Sequence, residues 1–81
     1  MEPREAVLAI LAEETTPLHW TRIQDLALRR GYLDPFEHPD VRREVQSALR
    51  ALAREGLVEK EAKGVYLLVA RAEEEADDAE D

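Results

Sequence analysis

The sequence has no cysteine, no asparagine, one serine and three glycines in 81 residues. Without cysteine there is no disulfide framework, no thiolate metal site and no thiol nucleophile. Three scattered glycines cannot build a glycine-rich phosphate loop. Ser47 has no glycine elbow around it, so it lacks the sharp turn that presents a nucleophilic hydroxyl. The two histidines, His19 and His38, are too far apart to read as metal ligands. No apolar run approaches the ~20 residues of a membrane span. Met1-Glu2-Pro3-Arg4-Glu5 does not resemble the cationic start of a signal peptide. The expectation is a cytoplasmic binding module with no cofactor and no metal, and not an enzyme.

What is present is charge. Hydrophobic residues make up 44% of the chain and charged ones 37%, with a net charge of −8. Such an excess of acid argues at first against nucleic acid. Its distribution reverses that view. Residues 73–81 read EEEADDAED and hold seven of the 19 acidic groups, so residues 1–72 carry 12 acids against all 11 bases, a net of −1. The division is a domain over residues 1–71 and an acidic tail over 72–81. The tail has no apolar periodicity and reads as disordered. Two roles suit it, a solubilising extension or a mimic of nucleic-acid charge.

Apolar periodicity sets the order of elements. Pro3 opens a helix over residues 3–13, with Ala6, Val7, Ile10 and Leu11 on its buried side. Leu18-His19-Trp20 is short and extended, with Trp20 turned to the core and His19 partly buried. Thr21 and Gln24 have capping-box spacing at the start of a second helix, whose stripe is Ile23, Leu26 and Ala27 and whose end is Gly31. Residues 32–38 form a connector in which Tyr32 and Phe36 pack. Pro39 and Asp40 open a third helix, to about Glu55, with Val41, Val45, Ala48, Leu49 and Leu52 on one narrow stripe. After Gly56 the period changes to that of strands, over residues 57–60 and 65–69, joined by a loop at 61–64 with Gly64 at positive φ. Helix, short strand, helix, helix, hairpin is the order of a winged helix-turn-helix. The expected class is α+β, mainly α, with three helices and a small antiparallel β-sheet forming the wing.

The third helix carries the main functional signal. Opposite its apolar stripe lie Arg43, Ser47, Arg50 and Arg54, four, three and four residues apart, with Arg42 and Gln46 at the flank. Arginine and glutamine are side chains that reach base edges and phosphates in a major groove. Arg43, Gln46, Ser47 and Arg50 are the expected base-facing set. Arg42, Arg54, Arg22, Lys60 and Lys63 are the expected phosphate contacts. Glu59 and Glu61 beside the two lysines dilute the field there. A solvated helix face and a protein-docking face remain open as readings of the same residues. Leu28, or Phe36 with Leu33, suits a small dimer patch, so a monomer or weak homodimer is expected.

The segment Pro17-Leu18-His19-Trp20, then Ile23, Gly31 and Gly64-Val65-Tyr66-Leu67, resembles the HARE-HTH family of winged helices over roughly residues 4–69. That family includes DNA-associated modules of restriction and chromatin proteins, and the RNA polymerase delta subunit, whose globular domain precedes an acidic tail. The resemblance implies a winged helix with a role in DNA binding or transcription. Two functions follow as expectations. One is a module that binds double-stranded DNA with its third helix in the major groove and regulates transcription. The other is a protein-interaction module bound to RNA polymerase or another transcription component, its acidic tail mimicking nucleic acid.

Overall fold

The first helix, α1 (Pro3–Glu13), begins on a proline whose missing N–H is no loss in a first helical turn. The Glu2 N–H donates to Glu5 Oε1 at 3.4 Å, so the capping box of this chain lies here. A computed structural model describes residues 1–69. Within it α1 is followed by β1 (Leu18–His19), α2 (Trp20–Arg29), α3 (Val41–Arg54), β2 (Val58–Ala62) and β3 (Val65–Leu68). Three helices and one three-stranded antiparallel sheet make a mainly helical α+β fold in a winged-helix arrangement. The expected acidic tail, 72–81, lies outside the described residues.

The capping box expected at Thr21 and Gln24 is not formed. β1 runs directly into α2, leaving no residue free to stand as a threonine cap. Trp20 is already helical, and its N–H donates to the Gly64 carbonyl at 2.8 Å. His19 takes the cap instead: its Nδ1 accepts the Thr21 N–H at 3.2 Å. The side chain of His19 is exposed while it does so, rather than partly buried as the sequence suggested.

α3 starts two residues later than expected. Asp34 organises the connector, its carbonyl accepting from the N–H groups of Glu37 and His38 and its carboxylate from the N–H of Phe36. The chain leaves this turn through Pro39, and Asp40 then caps α3, accepting the Arg43 N–H at 3.4 Å. Val41, Val45, Leu49 and Leu52 form its buried stripe as read from the spacing, and Ala48 of the same expected stripe is only partly buried. They meet Ala6, Val7, Ile10 and Leu11 of α1 and Ile23, Leu26 and Ala27 of α2 in one core, closed by Leu18, Leu33 and Val58.

The sheet order is β1-β3-β2, so β3 is hydrogen-bonded on both sides. Leu18 pairs with Tyr66 across one seam, and Lys60 with Tyr66 across the other. β2 continues to Ala62 after a register shift between Lys60 and Ala62. The connection is therefore only Lys63-Gly64, shorter than the four-residue loop the sequence suggested. Gly64 has φ +74°, and a Cβ there would sit 2.9 Å from His19 Nε2 and 3.2 Å from Trp20 Cδ1. The turn thus needs glycine twice, for its dihedral and for its closeness to the ring pair beneath it.

Ion pairs tie α1 and the residue after it to the ends of α2 and α3. Arg30 contacts Glu13 at 3.1 Å and Glu14 at 3.4 Å, and the Tyr32 hydroxyl donates to Glu13 at 2.8 Å. That hydrogen bond, with desolvation added, raises the Tyr32 pKa. Arg4 grips both carboxylate oxygens of Glu55, tying α1 to the end of α3. The same contact lowers the Glu55 pKa and raises that of Arg4.

Candidate nucleic-acid interface

The basic residues divide into two groups by what neutralises them. Arg4, Arg22, Arg29 and Arg30 are each in an ion pair with Glu55, Asp25, Asp25 or the Glu13–Glu14 pair. Arg42, Arg43, Arg50, Arg54, Lys60 and Lys63 make no ion pair among the described residues, and all six lie on α3 or the hairpin. The sequence alone could not make this division. It follows from α3 having its acids elsewhere. Glu44 turns to His38, whose Nδ1 lies 3.2 Å from Glu44 Oε1, and Glu55 is held by Arg4. Unpaired cations gathered on one face attract polyanions over a Debye length.

α3 presents this charge to two grooves. The first lies between α3 and the hairpin, has a volume of about 340 Å³, and is lined by Trp20, Gln46, Leu49, Arg50, Lys60, Lys63, Gly64 and Tyr66. Strand pleating explains why its charge is clean. Side chains alternate across a strand, so Lys60 faces the groove while Glu59 leaves on the other side, and Glu61 falls at the register shift between Lys60 and Ala62. Neither acid lines it. The dilution that the sequence suggested at the hairpin therefore does not reach the groove lining. Arg42 does not line the groove, but its guanidinium carbon lies over the Trp20 ring, 5.3 Å from its centre. An exposed cation–π contact of this kind contributes about 0.5–1 kcal/mol.

The second groove, about 370 Å³, lies between α1 and α3 and is lined by Pro3, Arg4, Arg43, Glu44, Ser47, Ala48 and Ala51. The residues expected to read bases are thus split. Gln46 and Arg50 share a groove with the two hairpin lysines, whereas Arg43 and Ser47 share theirs with α1. Arg54 is exposed at the C-terminal end of α3. Arg22 does not join the others: it stands on α2 with Asp25 at 3.3 Å.

Two readings of aromatic residues change. Trp20 packs against the core but is only half-buried, and its ring forms a wall of the first groove. Tyr66, in β3, forms another, and the sequence had marked it only as part of a strand and of the family resemblance, not as a site residue. The signal that could have found it is the pairing of Lys60 with Tyr66, which requires the hairpin register. Phe36 does not pack in the connector: it is 94% exposed. Leu33 is 1% exposed, so it offers no shared dimer patch with Phe36. Asp34 explains both. Its carboxylate takes the Phe36 N–H in a tight turn that directs the chain outward just after Leu33 enters the core.

Among the described residues, no group of three or more His, Asp or Glu side chains is placed to hold a metal ion. No described helix is long and apolar enough to cross a membrane. Compared with protein families, with curated proteins and with solved structures, the chain finds no match.

Proposed function

We propose that this chain is a DNA-binding winged-helix module acting in transcription in the cytoplasm, with α3 entering the major groove of double-stranded DNA. The observation that carries the reading is the division of charge. Every described arginine away from α3 and the hairpin is already in an ion pair, and the six arginines and lysines of α3 and the hairpin are not. A helix with unpaired arginines and a half-buried glutamine, flanked by a hairpin with lysines, suits a groove with phosphates on both rims. Arg43, Gln46, Ser47 and Arg50 are nearest the bases in this reading. Arg42, Arg54, Lys60 and Lys63 hold phosphates.

The test is selection from a random duplex pool, followed by anisotropy with alanine variants at Arg43, Gln46 and Arg50. Loss of an arginine that reads a base costs about 1–3 kcal/mol and relaxes the preference at one position. Loss of one that holds phosphate weakens all sequences alike. A set of variants that bound every duplex as the parent does would remove the proposal.

A second reading, a protein-interaction module on RNA polymerase or another transcription component, has one observation of its own. Phe36 is an aromatic side chain left almost wholly in water, and aromatic anchors dominate protein interfaces. On that reading Phe36→Ser abolishes co-purification of the partner and leaves DNA affinity unchanged.

A further inference from the structure

We infer that the groove between α3 and the hairpin holds one unpaired nucleotide of a single-stranded nucleic acid, its base against Trp20 and Tyr66 and its phosphates between Arg50, Lys60 and Lys63. The inference rests on the reading of this face as a nucleic-acid surface and assigns it a second kind of substrate.

Shape is the first argument. A duplex is read by a surface that protrudes into its groove, and its bases stay stacked. The space here is a recess beside α3, and its walls are rings. A base reaches a ring-walled recess only when it has left its stack. Size is the second. At about 340 Å³ the groove lies at the low end of small-molecule sites, which run from ~300 to ~1,000 Å³. That suits a single planar base with its backbone and no more.

Chemistry is the third argument. Leu49 gives an apolar floor, two aromatic rings give stacking surface, and three cations without an ion pair flank them. Among the described residues no carboxylate lines the groove. A ligand matching this is flat and apolar at one end and anionic at the other. The Gln46 amide, also at the wall, can donate to or accept from a base edge. Arg42 over Trp20 holds that ring in place.

The chain supplies its own reporter, since Trp20 is its only tryptophan. The full chain is titrated at low salt with oligothymidylate about a dozen nucleotides long, with a blunt duplex of similar length, and with thymidine 5′-monophosphate. The expected result is saturable quenching of Trp20 by the oligonucleotide, stronger per site than by the mononucleotide. Anisotropy then compares variants. Tyr66→Leu lowers single-strand affinity roughly tenfold, in the range for loss of one stacked base. Tyr66→Phe restores it, and neither changes duplex affinity by more than about twofold.

Absence of saturable quenching by the oligonucleotide overturns the inference whatever the variants do. Equal losses for duplex and single strand in Tyr66→Leu overturn it too, because the ring would then act through the fold. A mononucleotide that binds as tightly as the strand assigns the groove to a free nucleotide and overturns the strand assignment. Loss of duplex binding with intact quenching by the single strand removes the major-groove proposal and leaves this one standing. The reverse pattern removes this one alone.

Discussion

The salt dependence of DNA binding measures directly how many cations of this chain meet phosphate. Each phosphate neutralised releases condensed counterions, and log K falls against log salt with a slope of about −0.9 per contact. Arg42, Arg43, Arg50, Arg54, Lys60 and Lys63 are the described arginines and lysines without an ion pair. Four of them, Arg42, Arg54, Lys60 and Lys63, are assigned to phosphate, so the slope is about −3.6, and affinity falls roughly a hundredfold between 50 and 200 mM salt. Alanine at Arg42 or Arg54 then makes the slope shallower by about 0.9. Arg22→Ala and Arg29→Ala serve as controls. Both arginines share Asp25, at 3.3 and 3.0 Å, so their charge is largely answered before DNA arrives. Their loss leaves the slope within error of the parent. The assay is anisotropy of a labelled random duplex over four or five salt concentrations. A parent slope near −1, or the same change from Arg22→Ala as from Arg42→Ala, would refute the argument from charge division.

Other outcomes follow from the same geometry. Shortening the chain to end at Arg71 removes the seven acids of residues 73–81, and low-salt DNA affinity rises while affinity at high salt is unchanged. Gly56→Ala and Gly64→Ala both place a Cβ at positive φ, at +81° and +74°, but only the second brings it against His19 and Trp20. The first costs about 1–2 kcal/mol; the second costs clearly more, with each kcal/mol read as a fall of about 4–8 °C in Tm. Leu52→Ala, at a fully buried site in α3, costs about 2–5 kcal/mol; chemical denaturation reports it, and it consumes much of the stability of a domain this small. Glu55 has a lowered pKa from its Arg4 contact, so its contribution is present above the ordinary carboxylate value and is lost as pH falls through the lowered one. Glu55→Gln is therefore the less stable protein near neutral pH, by a small margin at so exposed a pair, and the two thermal stabilities converge in acid.

Local chemistry made most of the fold readable. The helical stripe of α3 and the proline opening α1 are decided within a few residues, and their positions follow from periodicity and missing N–H groups. Element ends were less readable where a distant partner decides them. α2 starts at Trp20 rather than Thr21 because the Gly64 carbonyl, far along the chain, takes the Trp20 N–H. α3 starts late because Asp34 folds the connector under itself. The candidate site was readable as far as one helix carries it. Arg43, Gln46, Ser47 and Arg50 stand on the polar side of α3, as their spacing requires. That they divide between two grooves depends on what packs on each side of α3, which no local pattern reports. Trp20 read as core because a large ring in a small domain must find cover. It does find cover against the core, while part of the ring lines the groove.

The bond from the Trp20 N–H to the Gly64 carbonyl has a mechanical consequence. It joins the tip of the hairpin to the first turn of α2, across a strand that enters that helix with no linker. The hairpin is fastened at its far end as well as at its root, and so lacks the hinge that a free wing would have. The width of the recess beside α3 is then set before any ligand arrives. Binding there orders little of the protein, and the conformational cost that mobile wings incur on contact is small. Selectivity falls to shape: a ligand too wide is excluded rather than accommodated.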